Sequence, residues 1–310
     1  MKKMFKNRYG LIRSGWIIIV CLILYYVSLY FAQILTFEAT RKLLQITGNL
    51  DYTTGFRTPL ADAIDGVMPV IMQMITEIAT IALSLIIWKI MRYDRKEIGI
   101  GNFKKSFKSE GAIGLLLGFA GCTLIFLILL ISKSVLIDPI EFVITPRVLL
   151  WLLTMILVGF AEELFCRGLF MSVLRRSNNK FLIIILPSLI FGGIHLFNPN
   201  VTVLSILNII LIGIVFSYMY YKSGNLWMCI GYHITWNIFQ SVIYGMPVSG
   251  LNIDSIMTTQ YPAANILNGG GFGIEGGILT TIVNILILMF AIFYYRSSTY
   301  EFLSDTHCKD

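Results

Sequence analysis

Leu149-Leu150-Trp151-Leu152-Leu153-Thr154-Met155-Ile156-Leu157-Val158-Gly159-Phe160-Ala161-Glu162-Glu163-Leu164-Phe165-Cys166-Arg167-Gly168 reads as a lipid-soluble helix that nevertheless holds two carboxylates and a guanidinium. Each such group costs about 2.5–3.5 kcal/mol at mid-membrane even on translocon-insertion scales. A helix that keeps all three needs a partner or a task for each. Later apolar segments supply His195 and His233, two of only three histidines in the chain.

The surrounding composition agrees with a membrane setting. Of 310 residues, 56% are hydrophobic and 13% charged, whereas soluble domains carry about 25% charged residues. The expected class is an all-α polytopic membrane protein whose partner is the lipid bilayer. The net charge of +7 comes from basic residues placed between apolar spans rather than on one face, so topology explains it and nucleic acid binding does not. Five cysteines (Cys21, Cys122, Cys166, Cys229, Cys308) show no metal spacing, and four lie in apolar runs as inert thiols. Cys308 is followed only by Lys309 and Asp310, which is not a prenylation box. The apolar run Trp16–Leu35 exceeds a signal-peptide core of about 7–15 residues, so it reads as a retained first helix.

Eight spans are expected, forming a single integral membrane domain over 1–310: Trp16–Phe37, Val67–Trp88, Ala112–Ile131, Val148–Leu174, Phe181–Leu196, Val201–Tyr221, Leu226–Tyr244 and Gly277–Tyr295. Basic residues gather in alternate loops. Lys2, Lys3, Lys6, Arg8 and Arg13 precede span one; Arg92, Arg95, Lys96, Lys104, Lys105 and Lys108 follow span two. Arg175, Arg176 and Lys180 follow span four, Lys222 span six and Arg296 span eight. The opposite loops are poorer in them: Asp138 and Glu141 sit after span three, and Met246–Gly276 has Asp254 and Glu275 but no Lys or Arg. Both termini are therefore expected in the cytoplasm. Asn268-Gly269-Gly270-Gly271-Phe272-Gly273 lacks the Lys-Ser/Thr of a phosphate loop and reads as a flexible outer loop. Gly114 and Gly118 form a small-xxx-small pair for helix packing.

The polar residues are placed to meet. Spans four and five form a hairpin turning near Asn178-Asn179, and Glu163 and His195 each lie sixteen positions from Asn179. Both sit roughly 24 Å from the turn, at matching depth. Glu163 and Arg167 are at i,i+4 in the favourable order for an ion pair. Glu162 is rotated by about 100° and meets Cys166 at i+4, so its carboxylate is left free as a general base requires. Phe191 and His195 share a face, with Gly192 and Gly193 letting a neighbour approach; His233 and Asn237 project together from span seven. Blander roles suit other residues. Glu77, one turn after Gln73, reads as an interhelical hydrogen-bonding group, and Trp227, Trp236, Tyr220, Tyr221, Tyr294 and Tyr295 as interface anchors or lining.

Three motifs in order, Glu162-Glu163-Leu-Phe-Cys-Arg167, Phe191-Gly-Gly-Ile-His195 and His233-Ile-Thr-Trp-Asn237, resemble those of the CPBP family of CAAX proteases and bacteriocin-processing enzymes. The resemblance covers the core from Val148 to Tyr244. It implies an intramembrane endopeptidase. Glu162 would be the base that activates water, His195 would position that water, and His233 with Asn237 would form an oxyanion site; Glu163, Arg167 and Phe191 would support them. The residues leave metal dependence open: zinc, if used, would take His195, His233 and Glu162, but no His-Glu-x-x-His helix is present. The balance leans toward metal-free water activation. The resemblance implies a membrane-associated peptide or protein substrate. Isoleucine-, lysine- and asparagine-rich usage suggests a bacterial plasma membrane, where bacteriocin or signal-peptide leaders outnumber prenylated CAAX termini. Two other classes compete: a proton- or ion-coupled transporter, since intramembrane Glu, Arg and His can relay protons, and a catalytically silent bacteriocin-immunity protein of the same fold.

Overall fold

The computed structural model describes residues 5–6, 12–91, 98–101, 106–137 and 144–303. Lys2, Lys3, Arg8, Arg92, Arg95, Lys96, Lys104, Lys105, Asp138, Glu141 and Cys308, used above for topology and thiol chemistry, lie outside them. The described residues carry eight helices of at least 11 residues: α1 Ser14–Ile46, α2 Pro59–Met91, α3 Ala112–Ile131, α4 Pro146–Glu163, α5 Lys180–Ile194, α6 Val203–Ser223, α7 Trp227–Asn237 and α8 Ile278–Tyr294. Six are long and apolar enough to cross a membrane once their flanking turns are counted. The other two differ from the sequence expectation. Helix α7 has 11 residues before widening into the π-helical turns Ile238–Ile243, and α8 has 17, against the roughly 20 a full span needs.

Local chemistry sets the helix ends. Thr145 caps α4 by accepting from the Val148 N–H at 3.2 Å, and Pro146 follows at the position where its missing N–H costs nothing. Beyond Glu163 the chain continues as a π-helix, Leu164–Met171, then Ser172–Leu174 and a 3-10 turn to Ser177. Asn178 turns the corner in the left-handed region (φ 52), and the Asn179 carboxamide caps α5 through Phe181 and Leu182. Thr202 and Ser205 form a capping box on α6. Gly224, at φ 69, ends that helix where a Cβ would strike the Tyr300 ring at 2.3 Å.

Helix α7 is the hub, packed on α3, α4 and α6. Glycines permit this closeness. A Cβ on Gly114 would lie 2.2 Å from the Met228 carbonyl, and one on Gly118 would lie 2.2 Å from the Tyr232 carbonyl. The small-residue pair therefore joins α3 to α7, as expected. Helix α1 is peripheral, with only 11% of its most apolar window buried and side chains such as Ile23, Leu24, Val27 and Phe31 facing outward. A two-stranded ladder, β1 (Leu136–Ile137) with β2 (Thr259–Gln260), ties the segment after α7 to the end of α3. A separate pair, Leu50–Asp51 with Phe56–Arg57, closes the loop between α1 and α2.

Three sequence expectations are corrected here. The Glu77 carboxylate accepts from Gln73 Nε2 at 2.6 Å on its own helix, where the i,i+4 spacing lets the two side chains meet. Trp227, Tyr220 and Tyr295 are buried rather than interfacial, Trp227 against the rings of Phe107 and Phe160, whereas Trp236 is buried as cavity lining, as expected; of the six aromatics named, only Tyr294 is exposed. Gly192 does receive a neighbour, Ile210, but nothing lies within 4 Å of a Cβ on Gly193. The four described cysteines are free and buried.

Candidate active site

The site begins with the ion pair on α4. Arg167 Nη1 donates to Glu163 Oε1 at 2.9 Å, and both side chains are 0% exposed. The pair survives the change from α to π geometry at Leu164. The guanidinium carbon stands 4.3 Å from the ring centre of Phe191 and 5.4 Å from that of Phe216. Those aromatic faces meet a cation through their π-electrons and seal the pair from lipid and water. Gly213 leaves the space: a Cβ there would lie 3.3 Å from Arg167 Nη2.

Helix α7 brings His233 to the same point. It comes close because Gly159, one turn before the acidic pair, has no side chain; a Cβ would press to 2.6 Å on Ile234 Cγ1 and 3.1 Å on its nitrogen. His233 Nδ1 lies 2.9 Å from Glu163 Oε1. A carboxylate accepts, so Nδ1 carries the hydrogen and the ring's orientation is set. Nε2 then faces Glu162 Oε2 at 3.6 Å, beyond a direct hydrogen bond. Glu163 is thus more than a helix brace. It is the shared acceptor of Arg167 and His233, a contact that spans seventy residues of chain and that helix periodicity within α4 does not reveal. Glu162 has 27% of its side chain exposed. It is the carboxylate left open.

His195 follows the last residue of α5. Its Nδ1 lies 2.8 Å from the Phe191 carbonyl, which only accepts, so Nδ1–H is again the donor and Nε2 keeps its lone pair. Phe191 therefore orients His195 through its backbone while its ring covers Arg167. His195, His233, Asn237 and Phe191 all line one cavity of about 50 Å³, room for a few waters or the end of a side chain. Among the described residues the Asn237 carboxamide makes no hydrogen bond of its own; the Asn237 backbone carbonyl accepts from Ser241 Oγ at 2.6 Å. Glu162 does not line this cavity but flanks it across His233, and no hydrogen bond joins Glu162 to His195.

The cavity's other wall comes from residues that motif reading passes over. Ser249 and Glu275 reach it from the segment between α7 and α8, and Asn208 from α6. Glu275 Oε2 accepts from the Ser249 N–H at 2.6 Å and from Ser249 Oγ at 2.9 Å. Burial pushes the Glu275 carboxyl above the usual carboxylate range, against the pull of the two Ser249 hydrogen bonds. The one sequence signal was a loop holding two acids and no base. Its other acid, Asp254, is matched by Arg147 at 3.0 Å and Trp151 Nε1 at 3.2 Å.

A zinc set of His195, His233 and Glu162 would have to bind through the two Nε2 atoms. Both Nδ1 atoms are engaged by Phe191 and Glu163, and among the described residues no three His, Cys, Asp or Glu side chains converge as metal ligands.

Residues 144–239 match the family model of type II CAAX prenyl endopeptidases, Rce1-like. The matched stretch runs from just before the α4 cap to the first residues past α7 and contains every motif residue named above. The resemblance seen in the motifs and the Rce1-like match thus fall on the same residues. No curated protein and no solved structure matches the chain. The similarity therefore rests on this stretch alone, and the family it points to is one of endopeptidases.

Proposed function

We propose that the chain is an intramembrane endopeptidase that hydrolyses a peptide bond with water activated by Glu162. One observation carries this reading. The open Glu162 carboxylate sits 3.6 Å from an imidazole whose far nitrogen is anchored by the sealed Glu163–Arg167 pair. Glu162 takes a proton from water as the oxygen attacks the scissile carbonyl, and returns that proton to the leaving amine when the C–N bond breaks. General-base action of this kind contributes about 10²–10⁴-fold. The free Nε2 of His195 accepts from the attacking water and fixes its position. His233, donating from Nε2 when both its ring nitrogens carry a proton, and the uncommitted Asn237 carboxamide polarise the carbonyl and hold the oxyanion. Glu163, Arg167 and Phe191 keep the two imidazoles aimed.

The same proposal includes eight spans with both termini in the cytoplasm of a bacterial plasma membrane. It includes a membrane-associated peptide as substrate. The family description favours a CAAX-type C-terminus, whereas the residue usage favours a bacteriocin or signal-peptide leader. No step passes through a metal, so exhaustive chelation is expected to leave activity intact; loss that zinc restores would reverse that part. The decisive assay is cleavage of membrane peptides of both classes by wild type, Glu162→Gln and His195→Ala, with folding checked by thermal unfolding. Both variants are expected to lose cleavage while staying folded. Wild-type rates in both would remove the mechanism, and ion flux in proteoliposomes without cleavage would favour a transporter.

A further inference from the structure

The loop-borne wall of the cavity is built to hold one carboxylate still. The Asn208 carboxamide donates to the backbone carbonyls of Glu275 at 2.8 Å and Gly277 at 2.9 Å, and is itself held by Thr281 Oγ1 at 2.6 Å. Ser249, kept in the left-handed region at φ 48, turns both its N–H and its hydroxyl onto Glu275 Oε2. Beside it, the Gly250 N–H donates to the Phe272 carbonyl at 3.0 Å. Backbone and side chain of Glu275 are therefore fixed before any ligand arrives, the condition under which a binding group is most selective.

The charge of Glu275 has no fixed partner. Among the described residues no Lys or Arg lines the cavity, and Met246–Gly276 contains none. Arg167 lies behind Phe191 and Phe216 and is committed to Glu163. The nearest titratable side chains in the cavity are His195 and His233, whose Nδ1 atoms are already engaged. A carboxylate among Ile209, Ile212 and Phe216 is costly unless a cation answers it. Holding Ser249 does not require a charge, since the carbonyl of a glutamine would accept the same two hydrogen bonds. Among the described residues Oε1 accepts none, so one oxygen stays available.

We propose that Glu275 selects the substrate: its carboxylate receives a basic side chain, a lysine ammonium or an arginine guanidinium, on the peptide held beside His195 and His233. This rests on the peptidase reading of the site. The cavity of about 50 Å³ admits the end of such a side chain, and the apolar walls accept its methylene stem.

The test uses an apolar decapeptide carrying lysine at each position in turn, paired with norleucine, which keeps the four-carbon stem and lacks the ammonium group. Binding is read by fluorescence anisotropy on the full chain carrying Glu162→Gln, so it needs no cleavage; cleavage is read on wild type. At one position lysine is expected to bind roughly tenfold or more tighter than norleucine, and adding Glu275→Gln is expected to bring that ratio to about one. A ratio near one at every position in the Glu162→Gln protein overturns the proposal without any appeal to the second variant. A lysine preference that persists after Glu275→Gln also overturns it. If the preference depends on Glu275 but wild type cleaves none of the peptides, the cation site stands and the peptidase reading falls.

Discussion

The cavity has two walls of different origin. On the helix-borne wall, Glu163 is matched by Arg167 and His233 and sealed under aromatic rings. On the loop-borne wall, Glu275 is held by a serine and an asparagine, both neutral. The first wall carries its counter-charge with it and keeps its geometry whether or not a ligand is bound. The second wall fixes an orientation and leaves the charge to be answered from outside. Side chains that must stay aimed are braced by ions; a side chain that must recognise something is braced by dipoles.

That contrast is broken most severely at Glu162. Glu162→Gln is expected to lower cleavage by about 10²–10⁴-fold while the thermal unfolding midpoint in detergent stays put, because this carboxylate is half-buried and the amide has nearly the same shape. An unfolding shift as large as that of an Arg167 variant would mean that both acids are structural. Arg167→Met should do the opposite. Removing one partner of a sealed pair costs about 3–5 kcal/mol, so chemical or thermal unfolding should move strongly whatever happens to activity. Gly118→Val tests the closeness of α3 to α7 behind His233. Its branched side chain meets the Tyr232 carbonyl, and a loss of about 1–3 kcal/mol is expected.

The smallest effect belongs to the loop wall and is read against pH. Burial holds the Glu275 carboxyl above its ordinary range, so the folded state binds that proton more tightly than the unfolded chain does. The stability it contributes is fully present below the unfolded value of about 4.3 and is lost as pH rises through the raised folded value. The unfolding midpoint of wild type relative to Glu275→Gln should therefore fall as pH is raised from the carboxylate range toward neutrality. A difference that grows with pH would mean that the hydrogen bonds from Ser249 outweigh burial.

The helix-borne wall was legible in the sequence because Glu162, Glu163, Arg167, His195 and His233 stand out against apolar surroundings. The spacing that paired Glu163 with Arg167 and left Glu162 alone is a property of one helix, and it holds in the structure at 2.9 Å. The bond from Glu163 to His233 was not legible, since it depends on how closely α7 approaches at Gly159. Glu275 was hidden for a different reason. An acid in a polar, glycine-rich loop is unremarkable until the loop folds inward, and the ladder of Leu136–Ile137 with Thr259–Gln260 that helps to anchor it joins distant stretches. The lengths of α7 and α8 were overstated because hydropathy runs on past the residues that form regular helix.

The π-helical stretch Leu164–Met171 has a consequence for comparing this chain with others. Hydrogen bonds that reach back five residues instead of four accommodate one residue more than an α-helix needs. The acidic face before it and the basic turn at Arg175 and Arg176 after it are thereby out of phase by about 100°. A chain one residue shorter between positions 164 and 171 would present both ends in the same directions on an unbroken α-helix. In an alignment, a single-residue gap here that falls after Arg167 is a change of helical pitch that leaves the Glu163–Arg167 spacing intact.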